Sequence, residues 1–426
     1  MNLHYNLEDY PGLPKLILYG LQWLAISVPT LVILAQVMTA LQPDVDGVIY
    51  LQVLLLITGT AQLVQVIWGH RLPLILGPAA VLLVGSLASS SAPPGAVPGA
   101  MLVGAALMFL VSISGMMSPL QRLFTPQVVA VVLLLIAFTL LPTIRNLVLA
   151  SATPEEMPLR LGFTLGMLLL LFALQPFLHG MWKSTLVIWA MLGGTLGWKW
   201  LSPVDVIAPE GMFFSVPLEQ LRFEFVFDPG VIAAFLVCYM VLAINDIGSI
   251  QALDQMLKPD RMDLRLQRGM SVTALANMAA ALAGVLGPVN YSMSPGVIAA
   301  SRCASRWTLI PAGVGMLLCG FSPRLTAVFS SVPAVVIGTV LLYVLCAQVA
   351  TGLLVVYQQS ATVRYEHGLS VGLALLVGTS VAYLPAEAFN AIPSLLRPML
   401  GNGFVVGVVL CLILEHLVFP GKRDSS

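Results

Sequence analysis

Long apolar runs alternate with short polar breaks along the whole chain, and this pattern predicts a succession of helices. A helix needs about 20 apolar residues to cross the hydrocarbon core of a bilayer. Runs near that length fall at 15–41, 48–69, 74–90, 97–117, 126–143, 160–180, 184–201, 229–250, 269–287, 292–304, 306–322, 331–352, 366–384 and 402–419. The expectation is an all-α polytopic membrane protein of fourteen transmembrane segments.

Two runs are interrupted. The tenth is entered through Gly287-Pro288-Val289-Asn290-Tyr291-Ser292-Met293-Ser294-Pro295-Gly296 before it resumes at Val297. Proline removes an N–H and glycine loosens the backbone, so no continuous helix is expected there. The third begins Leu74-Ile75-Leu76-Gly77-Pro78-Ala79-Ala80, an apolar approach broken by Gly-Pro in the same way. An ordinary loop between helices would carry such residues too. In an apolar chain, however, broken backbone at membrane depth survives only where protein buries it or a cavity wets it. Paired interruptions at corresponding positions of two halves point to a transporter's substrate site. The halves also echo each other at Pro126-Gln127-Val128-Val129 and Pro333-Ala334-Val335-Val336, the fifth segment of each. Seven segments is an odd number, so two such halves are inverted relative to each other. The division expected is 1–201 for the first repeat, 202–228 for an extracellular connector and 229–426 for the second repeat.

Composition agrees with this reading. Of the 426 residues, 58% are hydrophobic and 9% charged, with mean hydropathy +0.96; soluble domains carry about 25% charged residues. The formal net charge of zero and the lack of a basic run give no sign of nucleic-acid binding. With the N-terminus inside, thirteen of the nineteen Lys and Arg fall on the inner side, so both termini are expected in the cytoplasm. The first fourteen residues lack the basic-then-apolar pattern of a cleaved signal peptide, so the N-terminus is expected to stay in place. The protein is thus expected in the plasma membrane, or the inner membrane of a bacterium. The inner stretch 251–268 is read as a solvated connector. Cys238, Cys303, Cys319, Cys346 and Cys411 lie in or beside apolar runs without metal-ligand spacing and read as small buried hydrophobes.

Polar residues inside spans are expensive and mark function. One acid lies deep, Asp246 in the eighth segment, after Asn245 and before Ser249, which is one turn from Asn245 on the same face. A carboxylate in hydrocarbon tends to take a proton, so Asp246 is the expected ion-coupling residue. Gln52, Gln62 and Gln65 are read as helix-packing groups. Ser294 is expected to cap the helix that begins at Pro295, and Gly296 to let substrate approach the backbone. The substrate site is expected at Gly77, Pro78, Ala79, Asn245, Ser249, Tyr291, Met293, Ser294 and Gly296. No nucleophile–base pair, GxSxG, HExxH or phosphate loop is present, so no enzyme and no cofactor is expected.

Met293 to Arg306 resembles the signature of the nucleobase–ascorbate transporters, in register through Ser305-Arg306. Gly20-Leu21-Gln22-Trp23 resembles the family's Leu-Gln-His motif, and Val332-Pro333-Ala334-Val335-Val336-Ile337-Gly338 its twelfth-segment motif. The resemblance implies fourteen segments in two inverted repeats, a core from segments 1–4 and 8–11, and a gate from segments 5–7 and 12–14. It also implies short strands in segments 3 and 10 facing each other at the site, and a homodimer. It implies a symporter that moves a nucleobase such as uracil or xanthine with H+ or Na+. Three positions depart from the family. Its eighth-segment carboxylate falls on Asn245, its tenth-segment Gln or Glu on Met293, and its first-segment His on Trp23. The alternatives are an anion carrier of the same fold, for sulfate, bicarbonate or a small carboxylate, and a membrane receptor that does not transport.

Overall fold

The computed structural model describes residues 3–40, 45–90, 92–115, 125–149, 153–202, 212–217, 224–358, 365–389, 392–393 and 396–419. Parts of the 202–228 connector and the basic positions Arg122, Arg222, Arg364, Lys422 and Arg423 lie outside these residues.

The principal helices are α1 (Leu13–Ala40), α2 (Gly47–Ile67), α3 (Ala80–Ala88), α4 (Ala96–Ser114), α5 (Pro126–Thr139), α6 (Leu141–Leu149), α7 (Met157–Leu174) and α8 (Leu186–Leu201). They continue with α9 (Pro229–Leu257), α10 (Met262–Leu282), α11 (Ser294–Ser301), α12 (Leu309–Gly320), α13 (Pro323–Ser330), α14 (Ala334–Gln358), α15 (Tyr365–Ala382) and α16 (Gly403–Ile413). Several starts are written in the sequence as an N-cap followed by proline. Asp228 accepts from the N–H groups of Gly230 and Val231, and Thr125 from that of Val128.

Among the described residues, seven helices are long and apolar enough to cross a membrane, or eight if α12 and α13, bent by 90°, count as one span. The third and tenth runs are instead a short strand followed by a short helix: β1 (Leu76–Pro78) before α3, and β2 (Pro288–Asn290) before α11. The stretch 251–268, expected as a solvated connector, is not a loop. Helix α9 continues to Leu257 and α10 starts at Met262, which leaves four residues between them. Nothing in Gln251–Leu257 breaks a helix; the stop comes at Lys258, left-handed with φ 46°, just before Pro259.

Helix α2 packs on α12, and α4 on both α9 and α10, around the strand pair. Helices α5, α6, α14, α15 and α16 pack chiefly with one another. Close approach there uses small residues: a Cβ on Gly378 would lie 2.7 Å from the Gly403 carbonyl. Residues 4–9 run beside the segment after α11. His4 N–H donates to Arg302 O, Ala304 N–H to Tyr5 O, and buried Arg306 pairs with Glu8 at 2.8 Å. Of the cysteines, Cys238, Cys303 and Cys411 are buried, whereas Cys346 on α14 is exposed.

Candidate functional site

The two broken segments meet. β1 and β2 pair antiparallel, with Leu76 opposite Asn290, Gly77 opposite Val289 and Pro78 opposite Pro288. Three residues per strand leave many backbone groups unpaired, and neighbouring helices supply partners. Gln62 accepts from Leu76 N–H at 2.7 Å and donates to Leu74 O, while Ser27 donates to Leu76 O at 2.7 Å. Asn277 donates to Pro288 O at 2.8 Å and Tyr50 accepts from Leu286 N–H. Gln62 therefore holds a strand, whereas Gln52 and Gln65 bridge helices as expected, to Gly320 O and Gly269 O.

Asn277→Ala is expected to leave the Pro288 carbonyl buried without this donor, at a cost of about 1–3 kcal/mol. A fall in melting temperature of the purified protein checks it. An unchanged melting temperature would mean that β2 is held by something else.

Behind β2 lies a fully buried polar chain. Asp246 Oδ1 accepts from Asn290 N–H at 2.9 Å and from Asn290 Nδ2 at 2.7 Å. Asn290 Oδ1 faces His70 Nε2 at 3.1 Å, and His70 Nδ1 accepts from Leu72 N–H. A neutral His70 ring therefore carries its proton on Nε2 and donates to Asn290. Gln65 accepts from His70 N–H and donates to Thr273 Oγ1 at 3.1 Å. Asp246 Oδ2 is buried with no partner at hydrogen-bond distance among the described residues.

The other face of the strand pair is more open. Asn245, one residue before Asp246, is exposed, and its Oδ1 accepts from Ser292 Oγ at 3.1 Å. Ser249 Oγ donates to Asn290 O and lies 2.8 Å from Ser292 Oγ. Met293 is 48% exposed beside them. Among the described residues, a Cβ on Gly296 would meet no heavy atom within 4 Å, so this glycine faces open space and not a packed neighbour.

Tyr291 behaves differently. Its ring lies across Gly77, where any Cβ would collide with it, and its hydroxyl donates to Pro78 O at 3.4 Å. Ala79 precedes α3 and its N–H donates to Gly287 O. Ser294 is buried and is the first residue of α11, not its cap. Its hydroxyl accepts from Ile75 N–H and donates to Tyr291 O, tying the two breaks together. The expected cap fails because Met293 already has helical dihedrals and takes the boundary position.

The sequence-predicted residues thus divide. Asn245, Met293 and Gly296 reach the open face; Gly77, Pro78, Ala79 and Ser294 form its frame. Ser249 and Tyr291 lie between. Ser292, His70, Asn290 and Thr273 were not picked out. Ser292 and Asn290 lie within the broken stretch, so polar residues at a helix break were the available signal. His70 and Thr273 are distant in the chain and carried none. Trp23, at the family's histidine position, is a packing residue that donates to Thr308 Oγ1 at 3.1 Å.

The Xan_ur_permease family model, described as "Permease family", matches residues 14–387. The chain is similar to the nucleobase transporter PlUacP of Paenibacillus larvae, 24% identical over 382 residues and 87% of each chain. It is also similar to the uric acid permease PucJ of Bacillus subtilis, 24% identical over 401 residues, 91% of this chain and 88% of that one. Among solved structures it resembles the transmembrane domain of a cyanobacterium bicarbonate transporter, BicA, with TM-score 0.63 and 14% identity over 88% of this chain and 99% of that one. The murine anion transporter Slc26a9 in the inward-facing state gives TM-score 0.64 and 12% identity over 97% of this chain and 69% of that one. Those two likenesses concern the fold alone. The chain belongs to the Xan_ur_permease family, that of the nucleobase–ascorbate transporters, and is a multi-pass membrane permease, not an enzyme.

Proposed function

We propose that this permease is a secondary active symporter that carries a nucleobase-like heterocycle across the plasma membrane. Uracil and xanthine are the family default, and uric acid is added by the name of PucJ. The observation that carries the reading is the open face beside the β1–β2 pair, where the Asn245 amide, the Ser292 hydroxyl and the start of α11 stand together. A side-chain amide offers both a donor and acceptors, which suits the alternating edge of such a ring. The N-terminus of α11 adds backbone N–H donors and the positive end of a dipole. Met293, where the family has Gln or Glu, supplies only a soft apolar surface.

The symported ion is a proton held by Asp246, with Na+ as the other candidate. The unpartnered Oδ2 is the oxygen that would carry the proton, while Oδ1 stays with Asn290. A charged acceptor binds roughly twice as strongly as a neutral one. Protonation therefore slackens the hold on Asn290 and lets β2 and α11 shift, which links ion and substrate without direct contact. The wider architecture in this reading is the fourteen-segment inverted repeat, with core segments 1–4 and 8–11 moving against gate segments 5–7 and 12–14. It includes a homodimer and cytoplasmic termini.

A second reading, an anion carrier of the same fold, is favoured by one feature: Asp246 is turned away from the open face, so backbone N–H groups lead there. A thermal-shift screen of the purified protein separates the two. Nucleobases are expected to raise the melting temperature by mass action, and inorganic anions and small carboxylates to leave it unchanged. A rise with bicarbonate or sulfate alone would favour the second reading.

A further inference from the structure

Four arginines converge where α2 ends and α10 begins. Arg71, Arg261, Arg265 and Arg268 line a cleft of about 130 Å³, and Asp260 is the one acid among its lining residues. Asp260 is already committed. Arg265 Nη2 meets its carboxylate at 2.9 Å and holds that carboxyl below the usual range. Three further bonds from Arg265 go to backbone: Nε to Asp260 O, and Nη1 to His70 O and Arg71 O. Arg265 is therefore the frame of the cleft. Arg268 lies over the Trp68 ring at 5.3 Å, and Arg71 Nε is buried without a partner among the described residues. The first turn of α10 carries one acid, Asp263, which is not among the residues lining the cleft, and among the described residues no side chain caps the helix start. Positive charge is thus in excess around a pocket that has room for a small anion.

The surroundings are apolar. Ile67 is 58% exposed, Trp68 49% and Leu264 37%, all beside the arginines. An exposed tryptophan at the end of a membrane helix stands at the bilayer–water interface. Arginine forks bind phosphate oxygens in pairs.

We propose that this cleft binds the phosphate group of an anionic ligand at the membrane interface, separately from the β1–β2 face. The shared chemistry is that of a phospholipid headgroup and of free phosphate, and the apolar flank favours the headgroup. The site does not depend on which solute is carried. It adjoins the coupling chain, because Arg265 holds the backbone of His70, whose ring holds Asn290.

Purified full-length protein in neutral detergent tests this by melting temperature. Added phosphatidylglycerol is expected to raise it by roughly 3 °C at saturation, and phosphatidylcholine to leave it unchanged. An equal rise with inorganic phosphate alone would keep the site and assign it to a soluble phosphate. The pair Arg261→Gln and Arg268→Gln is expected to lose the rise, whereas Arg324→Gln, an arginine away from the cleft beside Phe213, keeps it. Should the pair fail to fold, Arg261→Gln alone carries the comparison, since that residue is exposed. No rise with either phosphate, an undiminished rise in the cleft variants, or equal loss in Arg324→Gln would overturn the proposal.

Discussion

Asp246→Asn is expected to abolish uptake driven by a pH gradient while leaving exchange of solute across the membrane largely intact. The substitution suits the site. Oδ1 persists, so the bonds from Asn290 N–H and Nδ2 at 2.9 and 2.7 Å can be kept. The new Nδ2 replaces the partnerless Oδ2, so no existing hydrogen bond is lost and the fold is expected to survive. What is lost is the ability to carry a charge at one pH and a proton at another. With the acid gone, the hold on Asn290 stays in its neutral strength at all pH values. Proteoliposomes loaded with unlabelled solute measure exchange; a pH step without internal solute measures driven uptake. Driven uptake should fall to the level seen without a gradient. A variant with unchanged pH dependence would move coupling elsewhere, with Na+ as the next candidate.

The breaks in the third and tenth runs were legible because Gly77-Pro78 and Gly287-Pro288 forbid a regular helix in plain terms. The strand pairing came from the family resemblance and is what the structure has, with Gly77 opposite Val289. The eighth segment was legible in part. A polar pair at Asn245 and Asp246 flags a site, but successive residues on a helix point about 100° apart. Only packing decides which one reaches the open face, and it turns Asp246 behind β2 and leaves Asn245 exposed. His70 could not be found from the sequence, since its partner Asn290 lies 220 residues away. The stretch 251–268 misled because its charges suggest a solvated loop, although charged residues also suit the water-exposed end of a long helix. The Ser294 cap failed for a local reason: the helix starts one residue earlier than the proline implies.

Gly296→Val is expected to lower solute affinity at least about tenfold, equivalent to about 1.4 kcal/mol, without destabilising the protein. A Cβ at this position meets no protein atom within 4 Å, so the glycine is not needed for helix packing, and a valine there projects into the open face. The nearby Gly77 is the opposite case, since a Cβ there would strike the Tyr291 ring and displace it. Ligand affinity and melting temperature taken together on Gly296→Val test the placement of the site beside β1–β2. Weakened or absent nucleobase binding at an unchanged melting temperature is the expected result. Normal affinity in the variant would contradict this and move the site away from the open face beside β1–β2.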